Sequence, residues 1–358
     1  MSYLITGNLG YVGTIASQFL KKKYPEKKII GYDLGLFGNL IKGVNYNPDF
    51  FLDFQHIADV RSFDENILKD IDHVIHLAAI SNDPIGNKFE KITNEINFKA
   101  SIDILKKSIK MKVKTFTFAS SCSVYGDGSS HPRSESDELK PLTAYARSKI
   151  DFEEASKSIS LEQTTLTSLR FATACGFSPR VRLDLVLNDF VASALKKKKI
   201  EILSDGSPFR PLIHVKDMAR AIDWSSSRIN LNDSQSLFIN AGSDKWNYQI
   251  KDLAEKTSKK IKNCSLSINK NASPDKRSYK VDFSKFYNLA PDHRCIVSLD
   301  EAVDDLIFGL NNCNDLLPNF RETDYMRLNY LNNLINNSVI DNNLNLKILK
   351  LILKIIQY

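Results

Sequence analysis

The stretch GNLGYVG, Gly7–Gly13, carries three glycines spaced three residues apart. It follows a short apolar run, Ser2–Thr6, that is typical of a β-strand, and it precedes a segment with helical periodicity, Thr14–Lys23. Glycines at this spacing permit a tight turn and let a pyrophosphate approach the backbone, where the N-terminus of the following helix offers free N–H groups. The stretch therefore predicts a strand–turn–helix unit that binds a dinucleotide through Gly7, Gly10, Tyr11, Val12 and Gly13.

Asp33 indicates which dinucleotide is bound. It lies 20 residues after Gly13, at the end of the second predicted strand, Lys28–Asp33. That spacing fits a carboxylate that binds the hydroxyls of the adenosine ribose. A carboxylate there repels a 2′-phosphate, and no arginine follows it closely. The sequence therefore predicts NAD rather than NADP.

Short apolar runs continue to alternate with helical patterns through the first half of the chain. Further strands are predicted at Asp72–Leu77, Lys114–Ala119 and Thr165–Arg170, and a further helix at Asn97–Lys110. This alternation predicts an α/β fold with a doubly wound parallel sheet and helices on both faces.

The rhythm changes after Gly176, which predicts a smaller mixed α/β lobe for substrate. A helix over Leu183–Lys197, a short strand over Ile200–Leu203 and a helix over Val215–Ile229 are expected there. We predict a dinucleotide-binding domain at 1–170, to which a later segment at about 211–245 also belongs. A substrate lobe at 171–310 is interleaved with it, and an Asn-rich extension follows at 311–358.

Composition and charge exclude several classes of protein. The chain has 358 residues, a net charge of +7 and five cysteines without a CxxC pair. These features argue against a disulfide framework, a zinc site or any other metal site, and no nucleic-acid-binding signature is present. No secretory leader and no apolar stretch of about 18 residues is visible, so a cytoplasmic protein is expected.

Tyr145 and Lys149 form a YxxxK pair, which a helix places on one face. A lysine ammonium beside a phenol favours the phenolate, which can serve as a general base toward a substrate hydroxyl. Ser121, at the end of a predicted strand, can hydrogen-bond the same substrate oxygen.

These motifs together resemble the extended short-chain dehydrogenase/reductase enzymes of the NAD-dependent epimerase/dehydratase family, which act on nucleotide sugars. The resemblance covers about Ser2 to Leu310 and implies a Rossmann-type sheet, with Ser121, Tyr145 and Lys149 as catalytic residues. It adds cofactor contacts at Asp59, Val60, Leu77, Ala78, Ala79 and Asn97, besides Tyr145 and Lys149. It implies substrate contacts at Ser81, Asn82, Ser121, Thr173, Asn188, Arg210, Asp275, Arg277 and Tyr279. Arg180 and Arg182 either line the same pocket or face solvent, and His214 is expected in the core.

The same resemblance narrows the reaction. The family's dehydratases carry an acid–base pair directly after the strand-end Ser or Thr, and its decarboxylases carry a glutamate where Ser123 stands; here the two positions are Cys122 and Ser123. Dehydration and decarboxylation are therefore discounted. A 4-epimerase working through a transient 4-keto sugar is favoured over a 4-keto-6-deoxysugar reductase. A catalytically silent NAD-binding scaffold or sensor is the alternative from another class.

The family resemblance implies a homodimer, and the C-terminal segment offers a further surface for association. The helices near Asn97–Lys110 and Tyr145–Ser158 would form a homodimer interface. A helix is predicted over Leu344–Tyr358, where three lysines share one face. It packs on its own protein or on a partner subunit, rests peripherally on an anionic membrane, or is a disordered, dispensable tail.

Overall fold

A seven-stranded parallel sheet organises the first two thirds of the molecule in a computed structural model that describes residues 1–126, 131–229, 235–269, 271–272 and 278–347. The strands of the chain are β1 Ser2–Thr6, β2 Lys28–Asp33, β3 Phe54–Ile57, β4 His73–His76, β5 Thr115–Ser121, β6 Thr165–Phe171, β7 Thr173–Cys175, β8 Lys199–Ile202, β9 Phe209–His214, β10 Ser236–Ala241, β11 Asn247–Gln249 and β12 Ser265–Ile268. The sheet order is β10-β6-β5-β4-β1-β2-β3. In register, Leu4 of β1 lies opposite Ile30 of β2 and Val74 of β4.

Helices cover both faces of this sheet and build much of the rest of the molecule. They are α1 Tyr11–Lys23, α2 Asp83–Lys88, α3 Glu90–Asn94, α4 Ser101–Lys110, α5 Ala144–Lys157, α6 Val186–Lys197, α7 Val215–Ser227, α8 Ile250–Lys260, α9 Ser284–Leu289, α10 Leu299–Asn311 and α11 Arg327–Asn336. Alternate residues of β1 point to opposite faces, so Tyr3 and Ile5 join a core with α1 and α7. Leu4 joins the other core, with residues of α4 and α5. The predicted doubly wound α/β fold is thus confirmed.

The second lobe is built on two small sheets. Strands β7 and β9 run parallel, β9 and β11 antiparallel, and β8 pairs with β12. Helices α6, α8 and α10 pack around them in a separate apolar core. Strand β10 returns to the large sheet beside β6, so a later segment of the chain completes that sheet.

Two helix predictions need correction. Asn97 does not open a helix, because the chain is already helical from Glu90 and widens into a π-helical segment, Glu95–Ala100, between α3 and α4. The predicted helix over Leu344–Tyr358 does not begin at Leu344, which is buried with a φ of 57°. Residues 348–358 lie outside the described part of the chain.

Gly7 must be glycine for two independent reasons. Its φ is +74°, and a Cβ there would lie 2.6 Å from the backbone nitrogen of Ala78. We therefore expect Gly7→Ala to lower the free energy of unfolding by about 2–4 kcal/mol, from left-handed strain together with backbone overlap. The matched control is Gly35→Ala, with φ +79° but no neighbour nearer than 3.9 Å to the added Cβ, where about 1 kcal/mol is expected. Urea unfolding of both variants measures the difference, and equal losses would contradict this account.

Candidate active site

A cavity of about 850 Å³ opens where the parallel strands of the large sheet end. The loop after β1, the end of β2, the segment after β4, the end of β5 and the segment after β6 all contribute to its lining. In a doubly wound sheet this edge is where ligands bind. The sequence-predicted residues that line it are Gly7, Gly10, Tyr11, Val12, Gly13, Asp33, Asp59, Val60, Leu77, Ala78, Ala79, Ser81, Asn82, Ser121, Tyr145, Lys149, Thr173, Arg210 and Tyr279.

The glycine loop presents the start of α1 to this cavity. Gly10 caps the helix, and the first turn of α1 carries no acidic residue. Since the first N–H groups of a helix have no partner within it, they and the helix dipole favour an anion at this point. The loop is held from behind, because the Tyr11 hydroxyl donates to the carbonyl of Gly176 at 2.5 Å and Ser178 donates to the carbonyl of Tyr11 at 2.8 Å. The loop therefore fits a dinucleotide pyrophosphate.

Asp33 lies at the carboxyl end of β2 and accepts hydrogen bonds from the N–H groups of Leu9 at 3.2 Å and Gly35 at 2.7 Å. Burial raises the pKa of its carboxyl group, and these two bonds oppose the rise. The carboxylate is thus fixed in orientation beside the glycine loop, where ribose hydroxyls can donate to it.

We expect Asp33→Asn to raise the dissociation constant for NAD⁺ by about 10- to 100-fold, because a hydrogen bond to a charged acceptor is lost. The ratio of NADP⁺ to NAD⁺ dissociation constants should fall, since the charge that repels a 2′-phosphate is gone. Isothermal titration calorimetry with both dinucleotides measures this. The control is Asp53→Asn, which removes a carboxylate bound by Lys21 outside the cavity lining; an unchanged ratio in Asp33→Asn would argue against the assignment.

Tyr145 and Lys149 lie one turn apart on α5, and both line the cavity. Ser121, the last residue of β5, lines the cavity beside the Tyr145 phenol. Burial raises the pKa of Tyr145 to about 12, and the neighbouring Ser121 hydroxyl opposes this rise. The three residues that the sequence proposes for catalysis are therefore brought together.

Lys149 is buried among groups that do not neutralise it. Its Nζ lies 4.6 Å from the centre of the Phe118 ring and 5.5 Å from that of Tyr145. Glu153, one turn further along α5, already forms an ion pair of 2.7 Å with Arg170. Burial lowers the pKa of Lys149 to about 7, against the opposing attraction of Glu153. Among the described residues no carboxylate lies within ion-pair distance of Lys149.

Near Tyr145, the cavity has a polar wall formed by Ser81, Asn82, Arg182 and Asp184. Arg182 donates to Ser81 Oγ at 3.1 Å and forms an ion pair of 2.9 Å with Asp184, which also accepts a hydrogen bond from Asn82. Arg182 thus lines the cavity, whereas Arg180 is buried behind it and donates to Thr14, Gly38 and Asp49. Asp184 was missed in the sequence analysis, because its role depends on its ion pair with Arg182 and its hydrogen bond from Asn82, which only the structure shows.

Asn97 and Asn188, both predicted ligand contacts, do not line the cavity. The Asn97 amide bonds the backbone of Ile80 in both directions, at 2.8 and 2.9 Å, and donates to Ser148 at 3.1 Å. Asn188 accepts from the N–H of Gly176 and donates to the carbonyl of Arg182. Both side-chain amides form their hydrogen bonds within the protein, and these bonds hold in place the segments that reach the cavity.

The remaining predictions concern the substrate side and the core. Arg210 in β9 reaches the cavity beside the Tyr279 ring, at 5.8 Å from its centre, and burial raises the pKa of that tyrosine. Asp275 and Arg277 lie outside the described residues. His214 is in the core, as expected, with Nε2 at 3.1 Å from Asp305.

Asp59 is placed at the cavity edge but is shared with the protein. Its carboxylate accepts hydrogen bonds from the backbone and guanidinium of Arg61. Arg61 also donates to the carbonyl of Asn343 and the side chain of Asn345, both at 2.8 Å. The C-terminal extension therefore reaches this end of the cavity, which the sequence does not reveal.

The described residues contain no cluster of His, Cys, Asp and Glu that could hold a metal ion. Across the same ranges, no helix combines the length and apolar character needed to cross a bilayer.

Comparison with known proteins agrees with the architecture and with the motifs. A family model described as the NAD dependent epimerase/dehydratase family matches residues 3–240. A UDP-glucose 4-epimerase of Halalkalibacterium halodurans is 27% identical over 281 residues, which cover 71% of this chain and 79% of that protein.

Two solved structures share the fold. The UDP-glucuronic acid 4-epimerase of Bacillus cereus, solved with UDP-glucuronic acid and NAD, has a TM-score of 0.70 at 23% identity, covering 87% of this chain and 99% of that one. TunA, an NAD dependent NDP-hexosamine 5,6-dehydratase, has a TM-score of 0.74 at 19% identity, covering 88% and 99%. With more than half of the sequence matched by the family model, the chain belongs to the NAD dependent epimerase/dehydratase family of extended short-chain dehydrogenases/reductases, enzymes that act on nucleotide sugars with NAD as cofactor.

Proposed function

We propose that the protein is a nucleotide-sugar 4-epimerase that works through a transient 4-keto sugar. The observation that carries this proposal is the meeting of Ser121, Tyr145 and Lys149 in one cavity with the glycine loop and Asp33. Curated relatives that act on UDP-glucose or UDP-glucuronate support it.

Tyr145 takes the proton of the sugar O4 hydroxyl as the C4–H bond breaks, and it returns a proton to O4 in the second half of the reaction. Ser121 donates a hydrogen bond to the same oxygen, and the positive charge of Lys149 favours the phenolate form of Tyr145. NAD, which the glycine loop and Asp33 would hold, would supply the acceptor and the donor for the C4 hydride. The cycle is redox-neutral, so no external reductant is consumed.

The neighbours of Ser121 favour epimerisation over water elimination. Cys122 is buried, its Sγ donates to the carbonyl of Arg170 at 3.0 Å, and burial raises the pKa of this thiol well above its usual range. Ser123 reaches the cavity but carries a hydroxyl group rather than a carboxyl group. Neither side chain supplies the acid–base pair that elimination of water requires.

The test begins with the dinucleotide content of the freshly purified protein, released by acid and quantified by chromatography. About one NAD⁺ per chain that survives gel filtration is expected, since an epimerase recycles its cofactor in place. UDP-glucose, UDP-galactose, UDP-glucuronate and their N-acetylated counterparts are then screened for C4 epimers. An empty site with stoichiometric oxidation of NADH by a 4-keto sugar would instead identify a reductase. Tight NAD binding without turnover of any sugar would indicate a scaffold.

A further inference from the structure

The C-terminal extension forms part of the cofactor cavity. Leu331, Ile340 and Leu344 of the extension pack in an apolar cluster with Ile80 and Ile85, which lie in the segment after β4. The extension residues that line the cavity itself are Met326, Arg327, Leu331 and Leu344. These residues lie beyond the 3–240 segment matched by the family model.

Arg327, the first residue of α11, is only 3% exposed. Its Nη2 donates to the carbonyl of Arg180 at 2.9 Å, and its guanidinium lies 4.3 Å from the centre of the Phe37 ring. Its Nη1 is buried and has no hydrogen-bond partner in the described part of the chain. A donor of this kind at a cavity wall is a group that lacks its acceptor.

The charge of Arg327 is also unmatched. Asp184, the carboxylate that acts on Arg327, is already paired with Arg182 at 2.9 Å, and Asp49 is paired with Arg180 at 2.9 Å. Within the described ranges, no carboxylate lies within 4 Å of the Arg327 guanidinium. Burial and the neighbouring Arg182 lower the pKa of Arg327 to about 9, which leaves it charged at neutral pH. A buried, uncompensated cation is costly and is stabilised by an incoming anion.

The position of Arg327 indicates which anion. Phe37 belongs to the loop that follows Asp33, and Arg180, on whose carbonyl Arg327 rests, donates to Thr14 in the first turns of α1 and to Gly38. Arg327 thus contacts the loop after the ribose-binding carboxylate directly, through Phe37, and contacts the backbone of Arg180, whose side chain in turn reaches the helix that follows the glycine loop. A dinucleotide that extends from Asp33 to the glycine loop carries its pyrophosphate between these two elements.

We propose that Arg327, supplied by the C-terminal extension, binds the pyrophosphate of the dinucleotide and so ties the extension to cofactor retention. A guanidinium presents paired N–H donors that suit phosphate oxygens, and Nη1 is the free donor. Binding of the cofactor by Arg327 can be tested without knowing which sugar is epimerised.

The test uses the full-length chain with Arg327→Met, Arg327→Lys and the control Lys88→Met. Lys88 is an exposed lysine of α2 whose Nζ donates to Asn332 in α11, so the control removes a cation from the same helix contact outside the cavity lining. Calorimetry measures binding of NAD⁺, ADP, adenosine and UDP after removal of endogenous cofactor. We expect Arg327→Met to raise the dissociation constants for NAD⁺ and ADP by about 10- to 100-fold and that for adenosine by less than about twofold. Arg327→Lys, which keeps the charge but loses the paired donors, should lose less affinity than Arg327→Met, and Lys88→Met should lose none.

The outcomes separate the alternatives. An equal loss for adenosine and ADP would overturn the proposal by showing a general distortion of the cavity. Unchanged affinity for ADP would overturn it as well, and a loss confined to UDP would assign Arg327 to the substrate instead. Thermal unfolding checks that the variant folds. Without cofactor, Arg327→Met should have a melting temperature no lower than that of the wild type, because a buried charge is removed. The increase in melting temperature on adding NAD⁺ should be smaller in the variant than in the wild type.

Discussion

Tyr145→Phe is expected to lower the turnover number for sugar epimerisation by about 10²- to 10⁴-fold, the range for loss of a positioned acid–base group. The substitution removes one oxygen from a residue that lies on a fixed face of α5, so the cavity keeps its shape. Because Ser121 remains in place, the affinity for nucleotide sugar should change little. The effect should therefore appear in kcat rather than in KM.

Initial rates with the sugar identified in the screen, together with calorimetric affinities for NAD⁺, measure this prediction. Tyr287→Phe is the matched control, since Tyr287 is 53% exposed and lies outside the cavity lining. Retention of activity in Tyr145→Phe within about twofold of the wild type would rule out Tyr145 as the acid–base group.

Lys149→Met is expected to have opposite effects on activity and stability. Activity should fall by about 10²- to 10³-fold, since the cation that favours the phenolate is lost. The cofactor-free protein should become more stable near pH 7. Burial lowers the pKa of Lys149 to about 7 in the folded protein, against about 10.4 when the chain is unfolded. The unfolded state therefore holds more protons between these values, and the lysine costs up to about 4 kcal/mol at pH 7.

The lowered pKa of Lys149 makes the stability of the protein depend on pH, which can be tested. In the wild type, the free energy of unfolding should rise with pH from about 7 toward 10, as the unfolded state loses its extra proton. In Lys149→Met that slope should flatten, and the advantage of the variant should shrink toward pH 10. Urea unfolding at pH 7 and 9 measures both, with Lys157→Met, an exposed lysine of the same helix, as control. A Lys149→Met variant that is less stable than the wild type at pH 7 would contradict the assigned burial cost.

Much of the nucleotide end of the site could be predicted because its information is local. The glycine loop, Asp33 and the pair on α5 depend on spacings of 20 residues or fewer, which a strand–turn–helix unit or a single helix translates directly into geometry. Strands β1 and β2 have the predicted bounds for the same reason. Strand β3 was missed because it is an edge strand, and its four residues, Phe54–Ile57, are only partly buried and lack an apolar run.

The rest depends on contacts that no local pattern shows. Asn97 and Asn188 have the residue type of ligand contacts, but they meet backbone groups 17 and 12 residues away that use up their amides. Arg327 and Leu344 come from an Asn-rich extension whose composition indicates nothing about the cavity. Leu344 reaches it through packing against the segment after β4, more than 200 residues earlier in the chain, and Arg327 is held by the carbonyl of Arg180 and the ring of Phe37.

The most direct test of the proposed reaction follows the hydrogen at C4 of the sugar. The enzyme, loaded with unlabelled NAD⁺, is incubated with UDP-glucose and UDP-glucuronate deuterated at C4, and the products are analysed by mass spectrometry and NMR. The account predicts a C4 epimer that keeps the deuterium at C4, with no net change in NADH, because the hydride leaves and returns within one site. Loss of the deuterium from C4, or consumption of one NADH for each product formed, would contradict it.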